Sequence, residues 1–600
     1  SFNLRILGIF DDHNCSSAVV EDGRIIAAIE EERLSRIKFH NGNTSDGPPW
    51  RSLEKVLDIS GSKADDIDRI AIAIEPPGDL MRYVLHDLFS RQKEPRWILH
   101  SMFSKSIRWD RYFLFYPYFY NRTRIARLKK LLKKYGLGNK PVDLVNHHTA
   151  HAASAYYTGG KPDALVVTLD GQGDGLAGTI FRGAGGTLEN IARVPSFHSI
   201  GLFYNLITWM LGFKPMRHEG KITGLAAYGD PAKVSRAYEQ FFRMEGHEFR
   251  YELAKKVLHH AYPHRSNYPK FVKAMNGLLE NATREDIAAG VQDVTEQCIT
   301  EFVGHFVNEE LKDKKSVDVR MAGGTFANVK VNQRVAELDG VSSVYVFPSM
   351  GDGGLSAGAA LWSYYKQRPQ EGSEIGNRRL KDAYLGPEFT KSDIEESLKK
   401  SKNPYKFYEN IEEKIGELLA QGRVVARFNG RMEYGPRALG NRSILYQSTD
   451  PTVNDWLNHK LKRTEFMPFA PVTLYEEAAS MYKNMGNNYF PAEYMTITFD
   501  CTEKMGEMCP ATVHVDKTAR PQLVTEEINE SYYRIVKAYA KRTGIPTIIN
   551  TSFNMHEEPI VCTPDDAVRA FNMGHLEYLA IGDFLVEETG SDNNNRQDVL

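Results

Sequence analysis

Three apolar, β-branched runs of this chain each end in a turn rich in glycine and aspartate. ALVVTLD runs into GQGDG at Gly171, VDVRMA into GGTFAN at Gly323, and VSSVYVF into PSMGDGG at Pro348. The last turn passes into a helix, LSAGAALWSYY. The start of the chain has similar grammar. LRILGIF feeds the turn DDHNCSS, and a hairpin with Asp22-Gly23 at its tip leads to a strand and a helix. A chain built this way folds as an α/β protein with its ligands at the carboxyl ends of the strands.

At 600 residues the chain is too long for one core. The polar stretch KQRPQEGSEIGNRRLKDAYL, residues 366–385, reads as the boundary. It separates a domain over 1–375 from a second α/β domain over 386–600, whose tail from about 588 has the composition of a disordered segment. Residues 91–140 are basic and aromatic. They read as a helical insertion with a solvated lysine face, broken at Pro117, in preference to a membrane-surface or partner-binding helix.

Charge and cysteines narrow the function. Lys and Arg number 75 against 77 Asp and Glu, a net charge of −2, so the overall basic footprint of a nucleic-acid binder is lacking. Five scattered cysteines suggest neither a disulfide framework nor a CxxC zinc site, and a reducing, cytoplasmic setting is expected. No apolar run has membrane-spanning length, and SFNLRILGIF lacks the layout of a signal peptide.

The stretch NHHTAHAASA places His147 and His151 four residues apart, on one face of a helix, with His148 directed elsewhere. Asp170 and Asp352 stand where strands run into glycine turns. Imidazole plus carboxylate suits iron, manganese or zinc. The same residues also fit a capped helix start and turn aspartates. His13, after the first strand, reads as a structural histidine or, if it faces the same cleft, as a general base. The turns EGKITGLAAYG and AGGTFANVKVN do not fit a P-loop but could cradle phosphates through backbone N–H groups. In the second half, Arg431, Arg437 and Arg442 lie in NGRMEYGPRALGNRSILY. Lys460, Lys462 and Arg463 lie in NHKLKRTEFMPFAP, Arg520 in HVDKTARPQ, and Asn550, Thr551, Ser552 and Asn554 in INTSFNMHEEP. Cations set in Gly/Pro-punctuated turns suit phosphate or carboxylate ligands.

Seven of these motifs, in this order, resemble the O-carbamoyltransferases of antibiotic, nodulation-factor and toxin biosynthesis, relatives of the hydrogenase-maturation carbamoyltransferase. They are HHTAHAASA, EGKITGLAAYG, GDGG, MEYGPRALGNRSIL, PFAP, HVDKTARPQ and NTSFN. The resemblance covers nearly the whole chain and is weakest over 91–140. It implies an N-terminal actin/sugar-kinase-like domain, similar to the tRNA threonylcarbamoyl-transfer protein, and a C-terminal domain that makes carbamoyl adenylate from carbamoyl phosphate and ATP. The first domain then carbamoylates a hydroxyl of a small molecule.

By this resemblance His147, His151, Asp170 and Asp352 are metal ligands, with Fe2+ or another first-row divalent ion as the metal. His13 is the base that deprotonates the acceptor, and Lys38 lies near the same site. Gly323, Gly324, Asn328 and Asn332 line an adenylate pocket. Arg437, Arg442, Lys462, Arg520 and Ser552 hold carbamoyl phosphate and ATP, with Mg2+ accompanying ATP. The family resemblance is compatible with a homodimer, and neither nucleic acid nor membrane is expected as a partner. Two departures matter. Asn14 and Cys15 follow His13 where the family has aspartate and alanine, and the segment before PFAP is one residue short, so Lys460 competes with Lys462 for one role. The altered turn and the aromatic-basic insertion suggest an unusual acceptor, such as a guanidinium alkaloid of the saxitoxin-precursor type. A tRNA-modifying carbamoyl transferase, an actin-like ATPase or sugar kinase, and a non-catalytic nucleotide-binding scaffold are the competing readings.

Overall fold

The structure, a computed structural model, describes residues 3–78, 107–251, 273 and 275–588. The expected disordered tail beyond Glu588, and residues 91–106 of the basic-aromatic stretch, lie outside the described residues. The chain divides into two compact units. One is Ser1–Ile26 with Asn41–Leu380, and the other is Ala27–His40 with Lys381–Leu600. The expected boundary near 375–386 therefore has a companion that sequence reading did not anticipate: residues 27–40 fold with the second unit.

The first unit contains two five-stranded sheets. Its strands are β1 (Arg5–Phe10), β2 (Ser16–Glu21), β3 (Arg24–Glu30), β4 (Arg69–Ile72), β5 (Val142–Leu144), β6 (Ala164–Gly173), β7 (Leu176–Ala184), β8 (Thr187–Pro195), a small hairpin of β9 (Phe242–Glu245) and β10 (Glu248–Tyr251), β11 (Val317–Ala322) and β12 (Val341–Val346). β3 starts in this unit and runs on into the second. The sheet orders are β3-β2-β1-β4-β5 and β12-β11-β6-β7-β8. In the first, β1 pairs antiparallel with β2 and parallel with β4, and β4 pairs parallel with β5. In the second, β6 pairs antiparallel with β7 and parallel with β11, and β11 pairs parallel with β12. One topology thus occurs twice: a three-strand meander followed by two parallel strands on the far side of its first strand. That duplication is the architecture expected of an actin/sugar-kinase-like domain.

Local sequence explains the elements. Asp22 and Gly23 both take positive φ, +48° and +75°, as a two-residue hairpin turn with right-handed strands demands. The helix His147–Thr158 is almost wholly buried, which its small residues Ala150, Ala152, Ala153, Ser154 and Ala155 permit. It packs on the helix Leu355–Gln367, rich in the same small residues, which also covers β1 and β2.

The basic-aromatic stretch forms a helix over Ile107–Lys134 that continues through Pro117. Proline removes one backbone hydrogen bond, and a long helix anchored further along keeps its course despite that loss. Lys129, Lys130, Lys133 and Lys134 are exposed, as expected of the solvated face. Asn121, Arg124, Leu128, Leu131 and Leu132 are buried along the other face.

The second unit is built on an eight-stranded mixed sheet. Its strands are β13 (Tyr405–Phe407), β14 (Val425–Phe428), β15 (Arg442–Gln447), β16 (Ala470–Leu474), β17 (Phe499–Asp500), β18 (Thr518–Ala519), β19 (Gln522–Val524), β20 (Thr547–Ser552), β21 (Tyr578–Ile581) and β22 (Phe584–Glu587). The sheet order is β13-β22-β21-β14-β15-β20-β16-β19, with β17 and β18 paired separately. Ala426, Phe428, Ile444, Tyr446, Ile549 and Leu579 form a core with Val453, Leu457, Ala567 and Phe571 from the covering helices. The helix Pro564–Met573 starts at a capping box between Thr563 and Asp566, with proline at its first position.

Candidate active sites in the two units

In the first unit the candidate metal ligands converge from a helix, a strand and a turn. Asn146 caps the helix His147–Thr158, accepting from the N–H groups of His148 and Thr149. Asp174 accepts the His147 N–H at 2.9 Å. The stretch is therefore a capped helix start and a ligand face at once; the two readings of the sequence are not exclusive. His147 and His151, one helical turn apart, aim Nε2 at the same point. Asp170 arrives on β6 and Asp352 on the turn after β12. His147 Nε2 lies 2.9 Å from Asp170 Oδ2 and 3.5 Å from Asp352 Oδ1. His151 Nε2 lies 3.3 and 3.6 Å from the same two atoms. One ligand atom from each of the four residues falls within 4.8 Å of the others. Position 173 must be glycine, because a Cβ there would lie 2.2 Å from the His147 ring.

The donor set fits a metal ion. Asp352 Oδ1 is buried and accepts no hydrogen bond, and so is His151 Nδ1 unbonded. Burial and the Asp170 charge push the Asp352 carboxyl up, and its contacts with His147 and His151 do not offset this. Burial opposes a charge on His147, but the Asp170 hydrogen bond and the carboxylates of Asp352, Asp170 and Asp174 together raise it to about 9. Such a cluster of buried like-charged oxygens is what a divalent cation relieves. His148 stands apart: it bonds Thr168 Oγ1 at 2.8 Å and the Leu176 carbonyl at 3.0 Å, and burial beside the other imidazoles lowers it to about 3.

His13 follows β1, with Nδ1 4.0 Å from Asp352 Oδ2. The Asp11–Asp12 segment before it is held from the long helix. Arg124 grips Asp11, and Tyr120 donates to Asp12 at 2.8 Å. Sequence reasoning missed Arg124 because it lies in the stretch least like the family. Asn14 takes φ +56° and its buried Oδ1 has no hydrogen-bond partner.

Gly323 and Gly324 follow β11 beside this cluster; a Cβ on Gly324 would lie 3.1 Å from Asp170 Oδ1. Asn328 caps the next helix through Val331 and exchanges hydrogen bonds with Gln292, which also accepts from Tyr204. Asn332 is fully buried and donates to the Phe326 carbonyl at 2.7 Å. Both asparagines thus shape the turn. In EGKITGLAAYG, burial raises the Glu219 carboxyl to about 7 against the pull of backbone N–H groups.

Lys38 is the lysine that the family resemblance sets near the acceptor site. It folds with the second unit, where burial lowers it, Glu32 and Glu557 raise it, and Arg463 and Arg33 lower it further. The cations of that unit divide into two kinds. Arg442 is fully buried on β15. It donates to the carbonyls of Asn429, Gly430, Asn441 and Pro387 and lies 3.7 Å over the Phe428 ring. Arg437 and Arg520 are different. Their side chains make no hydrogen bond or ion pair among the described residues, and each has a buried Nε without a partner, as Arg442 also has. Burial lowers Arg437 to about 10, and burial plus the Arg437 charge carries Arg520 well down, with Glu465 partly offsetting both.

Arg463, which the sequence placed in the basic cluster without a role, is fixed by Thr551 Oγ1, the Ser552 and Asn554 carbonyls and Asn554 Oδ1, at 2.6 to 3.0 Å. Ser552 Oγ donates to Asn554 Oδ1 at 2.6 Å. Lys462 is exposed at φ +56° and its ammonium makes no hydrogen bond or ion pair among the described residues; Lys460 is half-buried at the end of the helix Val453–Lys460. Glu433 accepts from the N–H groups of Leu439, Asn441 and Arg442, fixing the turn that carries Arg437. Among the described residues no helix is long and apolar enough to cross a membrane.

Comparison with known proteins agrees with this anatomy. Residues 5–361 match the family model for the carbamoyltransferase N-terminus, and residues 416–588 match that for the carbamoyltransferase C-terminus. A protein of Methanocaldococcus jannaschii, MJ1058, is 32% identical over 94% of this chain and 95% of its own length. The nodulation protein NolNO of Sinorhizobium fredii is 31% identical over 96% of this chain and 79% of its own. The 3'-hydroxymethylcephem-O-carbamoyltransferase of Streptomyces clavuligerus is 28% identical over 62% of this chain and 65% of its own. With more than half of its length matched by the N-terminal model alone, and a two-unit α/β fold to suit, this chain is an enzyme of the carbamoyltransferase family.

Proposed function

We propose that the protein is an ATP-dependent O-carbamoyltransferase acting on a hydroxyl of a small molecule, with the two chemical steps divided between its units. The observation that carries this reading is the Arg437–Arg520 pair: two half-buried side chains with buried Nε atoms, neither hydrogen-bonded nor ion-paired among the described residues, repelling one another. Two like charges held together, partly out of water and without partners, are costly, and such a pair suits an anion.

In the second unit, Arg437 and Arg520 bind carbamoyl phosphate, and hydrolysis releases phosphate and carbamate. The carbamate oxygen then attacks the α-phosphorus of ATP, pyrophosphate leaves, and carbamoyl adenylate forms. Mg2+ accompanies ATP. Arg463, Ser552 and Asn554 shape the adjoining turn, Arg442 holds the loop that carries Arg437, and Lys462 or Lys460 adds a charge to the phosphates.

In the first unit, His147, His151, Asp170 and Asp352 would hold Fe2+ or another first-row divalent ion, which supplies Lewis-acid polarisation of the carbamoyl carbonyl. Gly323 and Gly324 let the backbone approach the adenylate, and Asn328 and Asn332 keep that turn in shape. His13 takes the proton of the acceptor hydroxyl as its oxygen attacks the carbonyl and AMP leaves. The cephem enzyme, whose name specifies a hydroxymethyl acceptor, supports a small-molecule hydroxyl here. A carbamoyl group is a weak electrophile because nitrogen donates into the carbonyl; adenylation supplies a good leaving group.

The test is pyrophosphate release from ATP with no acceptor present. The reading requires release that depends on carbamoyl phosphate. ATP turnover indifferent to carbamoyl phosphate would return the protein to the kinase or ATPase class.

A further inference from the structure

The segment Ala27–His40 belongs to the second unit although more than 300 residues separate it from the rest of that unit. Its contacts are specific. Glu30 Oε1 accepts the Gly435 N–H at 2.8 Å, and Arg33 Nη2 donates to the Gly435 carbonyl at 2.8 Å. Both polar groups of one backbone residue are thus held by side chains of this segment. Glu30 and Arg33 are only 2% and 3% exposed. Gly435 takes φ +119° and lies two residues before Arg437. Arg33 is braced in turn by Glu32 at 3.0 Å. One turn on, Arg36 donates to the carbonyls of Pro559 and Ile560, both at 2.8 Å, in the loop that follows the Arg463-binding turn.

We propose that Ala27–His40 is a strap that sets the anion-binding turn of the second unit, with Glu30 and Arg33 as positioning residues that fix Arg437 through Gly435. The proposal rests on the anion-binding reading of Arg437 and Arg520. Its physical basis is the cost of holding those two guanidinium groups together. Repulsion and burial both favour swinging Arg437 outward, and a turn anchored only by its own chain would yield. Glu433 anchors the turn on the C-terminal side of Arg437, at Leu439, Asn441 and Arg442. The strap anchors it on the N-terminal side. Burial keeps the Glu30 carboxyl above the usual range even beside Arg33, so the amide isostere keeps the acceptor with little other change.

The experiment compares the full-length wild type with Glu30→Gln and Glu30→Ala by calorimetric titration with inorganic phosphate and by the KM for carbamoyl phosphate in pyrophosphate release. Glu30→Ala should weaken phosphate binding and raise that KM about tenfold or more, and Glu30→Gln, which keeps the acceptor, should restore both to within about twofold. Unchanged phosphate affinity and KM in a folded Glu30→Ala protein would overturn the proposal, as would a loss shared equally by Glu30→Gln. Should Glu30→Ala not fold, hydrogen exchange of the wild type decides. Phosphate should slow exchange in peptides from 27–40 and 429–437 together, and slowing confined to 429–437 would overturn the strap. Failure of the carbamoyltransfer reading looks different: phosphate binding would follow the strap while pyrophosphate release in the wild type ignored carbamoyl phosphate.

Discussion

Arg124 donates through Nε and Nη2 to one oxygen of Asp11, at 3.0 and 2.7 Å, across 113 residues of chain. Asp11 lies in the segment that precedes His13, so one face of the long helix Ile107–Lys134 packs on the first site while its lysines stay solvated. Both side chains are buried, and Asp11 and Asp12 hold the guanidinium above its usual range against the effect of burial. Arg124→Ala leaves a buried carboxylate unpaired and should destabilise the unit by about 3–5 kcal/mol. Urea unfolding measures this. A loss below about 1 kcal/mol would show that the pair does not anchor the turn.

The four-residue cluster around His147 should bind one first-row divalent ion. Added in excess at about a hundred times its dissociation constant, the ion should stabilise the protein by about 2.7 kcal/mol. His151→Ala and Asp352→Asn should abolish both the bound metal and the stabilisation. Elemental analysis and thermal unfolding with and without the ion check this, and metal retained at full stoichiometry in His151→Ala would remove that residue from the ligand set.

The two kinds of arginine in the second unit should respond oppositely. Arg442 spends its guanidinium on four backbone carbonyls, so Arg442→Ala strands those acceptors and should lower stability by about 3 kcal/mol or more. Arg520 has an unpartnered Nε beside a like charge. Arg520→Met should leave stability unchanged or raise it while abolishing pyrophosphate release, the signature of a group kept for function against stability. Thermal unfolding of the two variants distinguishes the cases.

Glu219 carries a pH signature. Its pKa is raised on folding to about 7, mainly by burial, so the unfolded chain ionises more readily. The folded state is therefore most favoured below the usual glutamate range and loses roughly 3 kcal/mol as pH rises from there to about 7. Glu219→Gln should remove this part of the pH dependence and be the more stable protein at pH 8. Parallel wild-type and variant profiles over that range would show that the carboxyl titrates normally.

Local patterns carried much of this architecture. The Asp22-Gly23 hairpin, the strand-to-glycine turns at Asp170 and Asp352, and the i,i+4 pair His147 and His151 all depend on spacing within a few residues, and the structure brings the four candidate ligands together. What was not legible depends on distant pairing. Arg124 looks like one of many cations on a basic helix until Asp11 is found opposite it. Lys38 sits early in the chain, yet its neighbours Glu557 and Arg463 belong to the second unit. Arg437 and Arg442 have the same chemistry and lie in one motif. Only the backbone around them shows that one donates to four carbonyls while the other's side chain makes no hydrogen bond among the described residues.

The central claim is that adenylation and transfer reside in different units, and the most direct measurement is carbamoyl-phosphate-dependent pyrophosphate release in His151→Ala and Arg437→Ala without acceptor. The account predicts release near the wild-type rate in His151→Ala and a fall of at least about a hundredfold in Arg437→Ala. Loss of release in His151→Ala with Arg437→Ala unaffected would contradict it.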